Sequence, residues 1–306
     1  MKIAVLIPCY NEALSITRVI RDAQKYMPQA TIYVYDNNST DDTINIARSA
    51  GAVVRTESHQ GKGNVVRRMF ADIEADIYVM TDGDATYDMA SVPQMIQKLQ
   101  EERLDMVTGV RQTEEQSAYR SGHRFGNIMM TRIVHLFFGK HTEDMLSGLR
   151  VFSRRFVKSY PATSRGFEIE TELTVYASSM RLPVADVNTP YYARPEGSHS
   201  KLSTFKDGWR ILKMIAVLIK EERPLLFFGL GSAFLAILSF VCAIPVIREY
   251  LETGLVPRFP TAILAVGLML CSGVSLTLAL ILDTVSKTRL EIRRMKYLAT
   301  PFDREE

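Results

Sequence analysis

The sequence predicts a doubly wound, mostly parallel α/β sheet, followed by an interfacial helix and a C-terminal transmembrane helical hairpin. Short apolar segments alternate with helical patterns over residues 1–205, and polar clusters follow three of those segments. Two long uncharged segments occupy the last third of the 306-residue chain. Alternation of strands and helices indicates parallel β-α-β units, in which helices cover both faces of one sheet.

Helical patterns separate four predicted strands, at 2–8, 31–35, 52–55 and 77–80. Thr40 or Asp41 is placed to cap the helix that ends at Gly51, since small polar side chains accept hydrogen bonds from a first helical turn. In sheets of this kind, ligands bind at the carboxyl ends of the strands. Polar clusters follow three of these ends, at Asn11–Glu12, Asp36–Asn38 and Asp82–Asp84. We therefore expect the functional site at this edge of the sheet.

The composition excludes some classes of protein. A net charge of +3 is too small to indicate a nucleic-acid-binding protein, and no basic-aromatic motif accompanies it. Cys9, Cys242 and Cys271 have neither metal-binding nor disulfide spacing, so we expect small buried apolar side chains in a reducing compartment. The first residues, MKIAVLIP, reach a proline too early for the apolar region of a secretory signal.

Two segments near the C-terminus, 225–247 and 261–282, contain no charged residue. Each has the ~20 residues that a helix needs to cross the ~30 Å apolar core of a bilayer. Lysines and arginines are frequent before the first segment and after the second, whereas the connection contains only Arg248 and Arg258. The positive-inside rule therefore predicts an integral protein of the cytoplasmic (inner) membrane, with the sheet domain and both termini in the cytoplasm.

Between the sheet domain and the first span, the segment 206–223 interleaves apolar side chains with lysines. This pattern is typical of an amphipathic helix in the membrane interface, although a helix packed on the soluble domain shows it too. The prediction therefore has four parts: a sheet domain at 1–205, a juxtamembrane helix at 206–223, two transmembrane helices within 224–283 and a basic cytoplasmic tail at 284–306.

Asp82 and Asp84 directly follow the predicted strand at 77–80. Unpaired buried charge is costly, so acids at such a place usually bind a metal, bind a hydroxyl or attack a substrate. The pattern Asp82-x-Asp84-x-Thr86 also occurs in phosphotransferases in which the first aspartate attacks phosphorus. In those enzymes it follows the first strand of the fold, whereas here about three β-α units precede it. We therefore favour carboxylates that hold a divalent metal on a diphosphate.

The surrounding motifs come in a fixed order. IPCYNEA follows the first strand, VYDNNSTDDT the second, GKGNVVRR precedes the fourth and DGDATYD follows it. This set resembles the inverting family-two glycosyltransferases of the GT-A fold. The later motifs, DMLSGLRVFSRR, GFEIETEL and ARPEGSHSKL, resemble the polyprenyl-phosphate hexose synthases, relatives of dolichyl-phosphate mannose synthase. The resemblance covers about residues 1–220, and the two-helix tail matches the membrane-anchored branch.

The resemblance implies a reaction and a site. A hexose would pass, with inversion, from a nucleoside diphosphate sugar to a polyprenyl (undecaprenyl or dolichyl) phosphate at the cytoplasmic membrane face; a UDP-hexose is preferred over GDP-mannose. Mg²⁺ or Mn²⁺ would bind at Asp82 and Asp84, with Asp84 as the direct and catalytic ligand. The implied nucleotide-sugar site comprises Pro8, Tyr10, Asn11, Glu12, Asp36, Asn38, Lys62 and Asp82.

The acceptor side needs cations, because two phosphate groups must meet in one site. Arginine binds phosphate bidentately and lysine as a point charge. Asp144 is the candidate catalytic acid beside the acceptor, as a base or as an orienting group; an ionised phosphate monoester hardly needs a base. The candidate acceptor-phosphate residues are Arg124, Ser147, Arg150, Arg194, Ser200 and Lys201. Another lipid or a glycan as acceptor remains an alternative. Whether the protein forms a homo-oligomer is a separate question that the sequence leaves open.

Overall fold

A computed structural model describes residues 1–112, 123–139, 142–195 and 204–302, with the backbone alone at 123–128, 204–207 and 210–211. The described residues form one seven-stranded sheet: β1 (Ile3–Cys9), β2 (Thr31–Asp36), β3 (Val53–Thr56), β4 (Ile77–Met80), β5 (Met106–Gln112), β6 (Arg150–Ser153) and β7 (Val184–Pro190). The helices are α1 (Ile16–Tyr26), α2 (Thr43–Ser49), α3 (Lys62–Asp72), α4 (Val92–Glu101), α5 (His123–Phe138), α6 (Arg154–Ser159), α7 (Ile169–Met180), α8 (Thr204–Glu222), α9 (Pro224–Thr253) and α10 (Phe259–Leu298).

The strand order is β3-β2-β1-β4-β6-β5-β7, and only β6 runs antiparallel to its two neighbours. The predicted doubly wound, mostly parallel sheet is therefore confirmed. In register, Cys9 of β1 pairs with Asp36 of β2, and Leu6 pairs with Met80 of β4. The carboxyl ends of the first, second and fourth strands consequently meet at one edge, with their polar clusters side by side.

The strands that carry these clusters are fixed by burial. All four residues of β4 are buried, and β1 is buried except for the partly exposed Pro8. Ile16, Val19 and Ile20 of α1 pack in the same apolar cluster as β1. Each such side chain contributes about 1.5–3 kcal/mol when it leaves water. The strand ends cannot slide without exposing this core, so the acids that follow them have fixed positions.

The chain divides into two compact units, one formed by Met1–Ile215 with Ile292–Glu306 and the other by Ala216–Glu291. The first unit thus includes the end of α10, which sequence analysis places in a separate tail. The Tyr297 hydroxyl donates to Asp105 Oδ2 at 2.7 Å, and Asp105 is fully buried. The Arg155 guanidinium bonds the same carboxylate and lies over the rings of Tyr297 and Phe302.

The second unit consists mainly of two helices that are long and apolar enough to cross a membrane, α9 and most of α10. Both predicted spans lie inside them. Serine side chains join the two helices: Ser232 Oγ donates to the Ser272 carbonyl at 2.9 Å, and Ser239 Oγ to the Ala265 carbonyl at 2.6 Å. Large apolar side chains point outward, which is the usual arrangement of helices in lipid.

This arrangement corrects one expectation about the cysteines. Cys9 is buried as predicted, but Cys242 is only partly buried and Cys271 is exposed. The reason is that Cys271 belongs to α10, whose apolar surface faces outward rather than into a protein core.

We expect Tyr297→Phe to lower the free energy of unfolding of the first unit by about 1–2 kcal/mol, because buried Asp105 loses a hydrogen bond to its carboxylate. Thermal unfolding of the purified protein in detergent measures this. Tyr33→Phe is the matched control, since among the described residues the Tyr33 hydroxyl has no hydrogen-bond partner. Equal melting temperatures for the two variants would show that the tail does not stabilise this unit.

Candidate active site

A cavity of about 600 Å³ opens at the carboxyl edge of the sheet. It is lined by residues that follow β1, β4 and β7, by the end of β5, by the start of α3 and by the loop before α7. Seven of the residues predicted from the sequence line it: Pro8, Tyr10, Glu12, Lys62, Asp82, Asp84 and Arg194. The structure therefore brings most of the predicted donor site and one predicted acceptor residue into a single space.

Asp84 is a buried carboxylate with a different partner on each oxygen. Its Oδ1 accepts from the Thr86 backbone N at 3.2 Å and from Thr86 Oγ1 at 2.6 Å. Its Oδ2 lies 2.5 Å from Arg194 Nη2. Burial raises the pKa of Asp84, and the neighbouring Asp82 charge raises it further, against the opposing effects of Arg194 and Thr86. This carboxylate therefore gains strongly from a bound cation.

Asp82 is held by a buried lysine. Lys62 Nζ lies 2.5 Å from Asp82 Oδ1 and 2.5 Å from Glu170 Oε1. Burial lowers the pKa of Lys62, but the two carboxylates outweigh it and the net shift is upward, so the ammonium stays charged. Burial raises the pKa of Glu170 despite the lysine. Lys62 thus joins the end of β4 to the first turn of α7 and fixes the direction of Asp82.

Two glycines permit this packing. A Cβ at Gly148 would overlap Asp82 Oδ2, and the Gly148 backbone is itself fixed, because its N–H donates to the Tyr87 hydroxyl at 2.7 Å. A Cβ at Gly83 would approach Cys9 Sγ to 2.8 Å. The two acids can therefore lie close to β1 and to the loop before β6 only because these positions lack side chains.

Three predicted donor residues lie beside the cavity rather than on its wall. Asn11 Oδ1 accepts from the Thr40 backbone N at 2.7 Å, and Asn38 Nδ2 donates to the Ser58 carbonyl at 2.9 Å. Both have positive φ, 52° and 66°, which asparagine tolerates in tight turns. They therefore brace the loops around the cavity. Asp36 is buried, and its Oδ1 accepts no hydrogen bond from the described residues.

Asp144 reaches the cavity through an arginine that the sequence analysis missed. Arg111 Nε and Nη2 donate to Asp144 Oδ2 and Oδ1 at 2.6 and 2.8 Å, which is a bidentate pair. Arg111 lines the cavity, whereas Asp144 is 4% exposed and lies behind it. Both carboxylate oxygens of Asp144 are thus engaged by one guanidinium group.

Two predicted acceptor residues are in the wrong place. Arg150 is fully buried, and its guanidinium donates to the carbonyls of Met145, Ser147 and Glu170 and to Thr174 Oγ1. Ser147 is also fully buried and donates to the Gly109 carbonyl at 2.6 Å. Arg150 holds the loop before β6 against α7 and Ser147 holds it against β5, so we withdraw both as phosphate ligands.

Arg124, Ser200 and Lys201 stay predictions, because the Arg124 side chain and residues 196–203 lie outside the described residues. Sequence analysis also missed Glu170. It stands in a run of alternating acids, Glu168, Glu170 and Glu172, and nothing local tells the three apart. In the structure Glu172 accepts from the backbone N atoms of Thr163 and Ser164, while Glu170 reaches Lys62.

A mostly parallel sheet of this order, with paired acids after its fourth strand, is the GT-A architecture of sugar transferases. The chain belongs to glycosyl transferase family 2, whose sequence model matches residues 4–160, just over half of the chain. It is therefore a glycosyltransferase, and the alternative of an aspartate-nucleophile phosphotransferase is wrong.

Relatives agree with this assignment. The glycosyltransferase AglJ of Haloferax volcanii is 36% identical over 74% of this chain and 75% of its own. A dolichyl-phosphate hexose transferase of the same organism is 29% identical over 72% of this chain and 95% of its own. Glucosyl-3-phosphoglycerate synthase from Mycobacterium tuberculosis, solved in complex with phosphoglyceric acid, superposes with a TM-score of 0.59 and 25% identity over 72% of this chain and 79% of that one.

We expect Gly148→Ala to reduce glycosyltransferase activity about a hundredfold, since the added methyl group must displace the Asp82 carboxylate by an ångström or more. The overlap should also lower the free energy of unfolding by about 1–3 kcal/mol. Gly208→Ala is the control, because its Cβ would make only an ordinary contact with Met130. A fully active Gly148→Ala enzyme would show that the position of Asp82 is not critical.

Proposed function

We propose that this enzyme transfers a hexose from a nucleoside diphosphate sugar to a polyprenyl phosphate, with inversion and with a divalent metal, at the cytoplasmic face of the membrane. The observation that carries the proposal is the mixed charge of one cavity. Among the charged side chains that line it, the carboxylates of Asp82 and Asp84 lie with the guanidinium groups of Arg111 and Arg194. Such a site suits a metal-bound diphosphate next to a second, metal-free phosphate.

The residues present fit Mg²⁺ or Mn²⁺. No cluster of three or more His, Cys, Asp or Glu side chains suited to a metal occurs in the described ranges. Mg²⁺ is commonly held by one or two carboxylates, with phosphate oxygens and water completing its shell. Asp84 would be the direct ligand, and Asp82 would lie beside it. The bound metal would neutralise the charge that develops on the departing nucleoside diphosphate.

The acceptor assignment has three supports. Arg111 and Arg194 line the cavity at the carboxyl edge of the sheet, and guanidinium groups bind phosphate through paired hydrogen bonds. The chain carries two helices that are long and apolar enough to cross a membrane. Relatives are named a dolichyl-phosphate hexose transferase and a glucosyl-3-phosphoglycerate synthase, and both names describe an acceptor that bears phosphate. A lipid phosphate combines these features; another lipid or a glycan explains the arginines less well.

The chemistry then needs little acid–base help. The acceptor phosphate is largely ionised at neutral pH, so an oxygen is already a nucleophile and no proton has to be removed. Arg111, oriented by Asp144, and Arg194 would hold that oxygen in line with the anomeric carbon. Asp36, which is buried beside the cavity, stays a predicted nucleotide-site residue, and a UDP-hexose remains our preferred donor.

Purified enzyme with Mn²⁺, undecaprenyl phosphate and a panel of UDP-glucose, UDP-N-acetylglucosamine and GDP-mannose should convert one donor to a polyprenyl-phosphate sugar. Asp84→Asn should abolish this transfer, because a neutral amide is a poor ligand for a divalent metal. Chelator should stop the wild-type enzyme and added metal should restore it. Asp88→Asn is the matched control, an acid four residues away whose carboxylate caps a short helix. Full activity in chelator would refute the metal assignment.

If Asp144 orients Arg111 and is not a base, Asp144→Asn should raise the Michaelis constant for the lipid phosphate about tenfold, since an arginine loses its charged partner. The constant for the donor and the shape of the pH–rate profile should stay the same. Glu143→Gln, which changes the adjacent exposed acid, is the control. Loss of a titration step from the pH profile would instead identify Asp144 as the base.

An epitope tag inserted after Thr253, in the connection between the two apolar helices, should be inaccessible from the cytoplasm. The reason is the scarcity of Lys and Arg in that connection compared with the segments outside it. A tag after Glu306 is the control and should be cytoplasmic. Cytoplasmic labelling of the inserted tag in intact cells would reverse the proposed orientation.

A further inference from the structure

Each carboxylate of the proposed metal site forms an ion pair with a basic side chain of the protein, and the two basic side chains differ in burial. Lys62 on Asp82 is buried, 9% exposed, and is shared with Glu170. Arg194 on Asp84 is 25% exposed and comes from the segment after β7. A buried ammonium between two carboxylates is costly to remove, whereas a partly solvated guanidinium can return to water at a modest cost when another cation takes its place at the carboxylate.

The ionised form of Asp84 needs a cation beside it. Asp84 is 4% exposed, and an ionised carboxylate at such a depth is strongly destabilising unless a positive group lies against it. Thr86 already occupies Oδ1 with two hydrogen bonds. A divalent metal held by Asp84 would therefore compete for Oδ2, which is the oxygen that Arg194 contacts. Two cations cannot share that position, because their charges repel at short range.

We propose that Arg194 is the internal counter-ion of Asp84 in the metal-free enzyme, that the metal displaces it, and that the displaced guanidinium then binds the acceptor phosphate. The first two steps concern this chain and its metal alone. The last step rests on the proposed function. Binding of the donor with its metal would thus promote binding of the acceptor. Arg194 contacts Asp84 before the metal and the donor bind, and it becomes available to a phosphate afterwards.

The backbone keeps Arg194 close to the cavity during this exchange. The Tyr192 N–H donates to the Thr86 carbonyl at 2.9 Å, and Tyr191 pairs with Tyr87 as an isolated antiparallel bridge. Arg194 follows this anchor by two residues, so a rotation of its side chain is enough to leave Asp84. Arg111, another arginine that lines the cavity, lies against the ring of Tyr191, which belongs to the same backbone pairing. The released guanidinium therefore stays beside a second phosphate-binding group.

Linkage makes the exchange measurable without turnover. If Arg194 and the metal compete, removal of the arginine must tighten metal binding. We expect Arg194→Gln to bind Mn²⁺ about three- to tenfold more tightly than wild type, with and without UDP, in a titration followed by the electron paramagnetic resonance of unbound Mn²⁺. The variant should also melt at a lower temperature without metal and gain more from added Mn²⁺.

Two variants make the comparison specific. Arg21→Gln removes the same charge from an exposed position on α1 and should bind Mn²⁺ like wild type. Arg194→Lys keeps the charge and should stay within about twofold of wild type, because a lysine can still compete for Oδ2. Equal or weaker Mn²⁺ binding by Arg194→Gln, with an unchanged Arg21→Gln, would overturn the competition.

A second titration tests delivery to the acceptor. In wild type, Mn²⁺ and UDP together should raise the affinity for undecaprenyl phosphate in detergent micelles about tenfold, and Arg194→Gln should show no such gain. A gain that persists in Arg194→Gln would overturn delivery and leave displacement to be judged by the Mn²⁺ titration. If wild type does not bind this lipid, the proposed acceptor and the delivery step are both refuted. Competition at Asp84 is tested separately, by the Mn²⁺ titration.

Discussion

The structure depends on one electrostatic constraint: each principal carboxylate at the strand edge must lie against a cation, because the site is largely removed from water. Lys62 serves Asp82 and Glu170, Arg194 serves Asp84, and Arg111 serves Asp144. These pairs connect the ends of β4, β5 and β7 with the first turns of α3 and α7 and with the loop before β6. Charge balance, more than any single motif, therefore determines which side chains line the cavity and which ones hold them there.

The sheet makes this balance possible. Strand β6 enters antiparallel between β4 and β5, so the loop before it, which carries Asp144 and Gly148, arrives at the same edge as Asp82 and Asp84. Arg150, at the start of β6, holds that loop in place. Its guanidinium donates to the backbone carbonyls of Met145 and Ser147 in the loop and of Glu170 in α7. A residue with phosphate-binding chemistry thus supports the site from within the core.

Sequence alone predicted the features that depend on local sequence pattern, namely the strands and the acids that follow them. Strand β4 was expected at 77–80 and runs Ile77–Met80, and β1 differs from its expected limits by one residue. The acids after these strands were found because a motif and a strand end coincide. Arg111 and Glu170 were missed because their partners, Asp144 and Lys62, are 33 and 108 residues away. Arg150 was misplaced for the same reason, since nothing in SGLRVF shows that its guanidinium is enclosed.

The contact between Tyr297 and Asp105 has a consequence for biosynthesis. The buried aspartate belongs to the first half of the chain, and its hydroxyl partner is Tyr297, which follows both apolar segments, 225–247 and 261–282. The ribosome makes Tyr297 only after it has made both apolar segments. The sheet domain, which is translated first, therefore lacks this contact until both segments have been translated. Chains interrupted before residue 297 would lack one of the hydrogen bonds to a buried carboxylate, and the cell's proteases could recognise them by their lower stability.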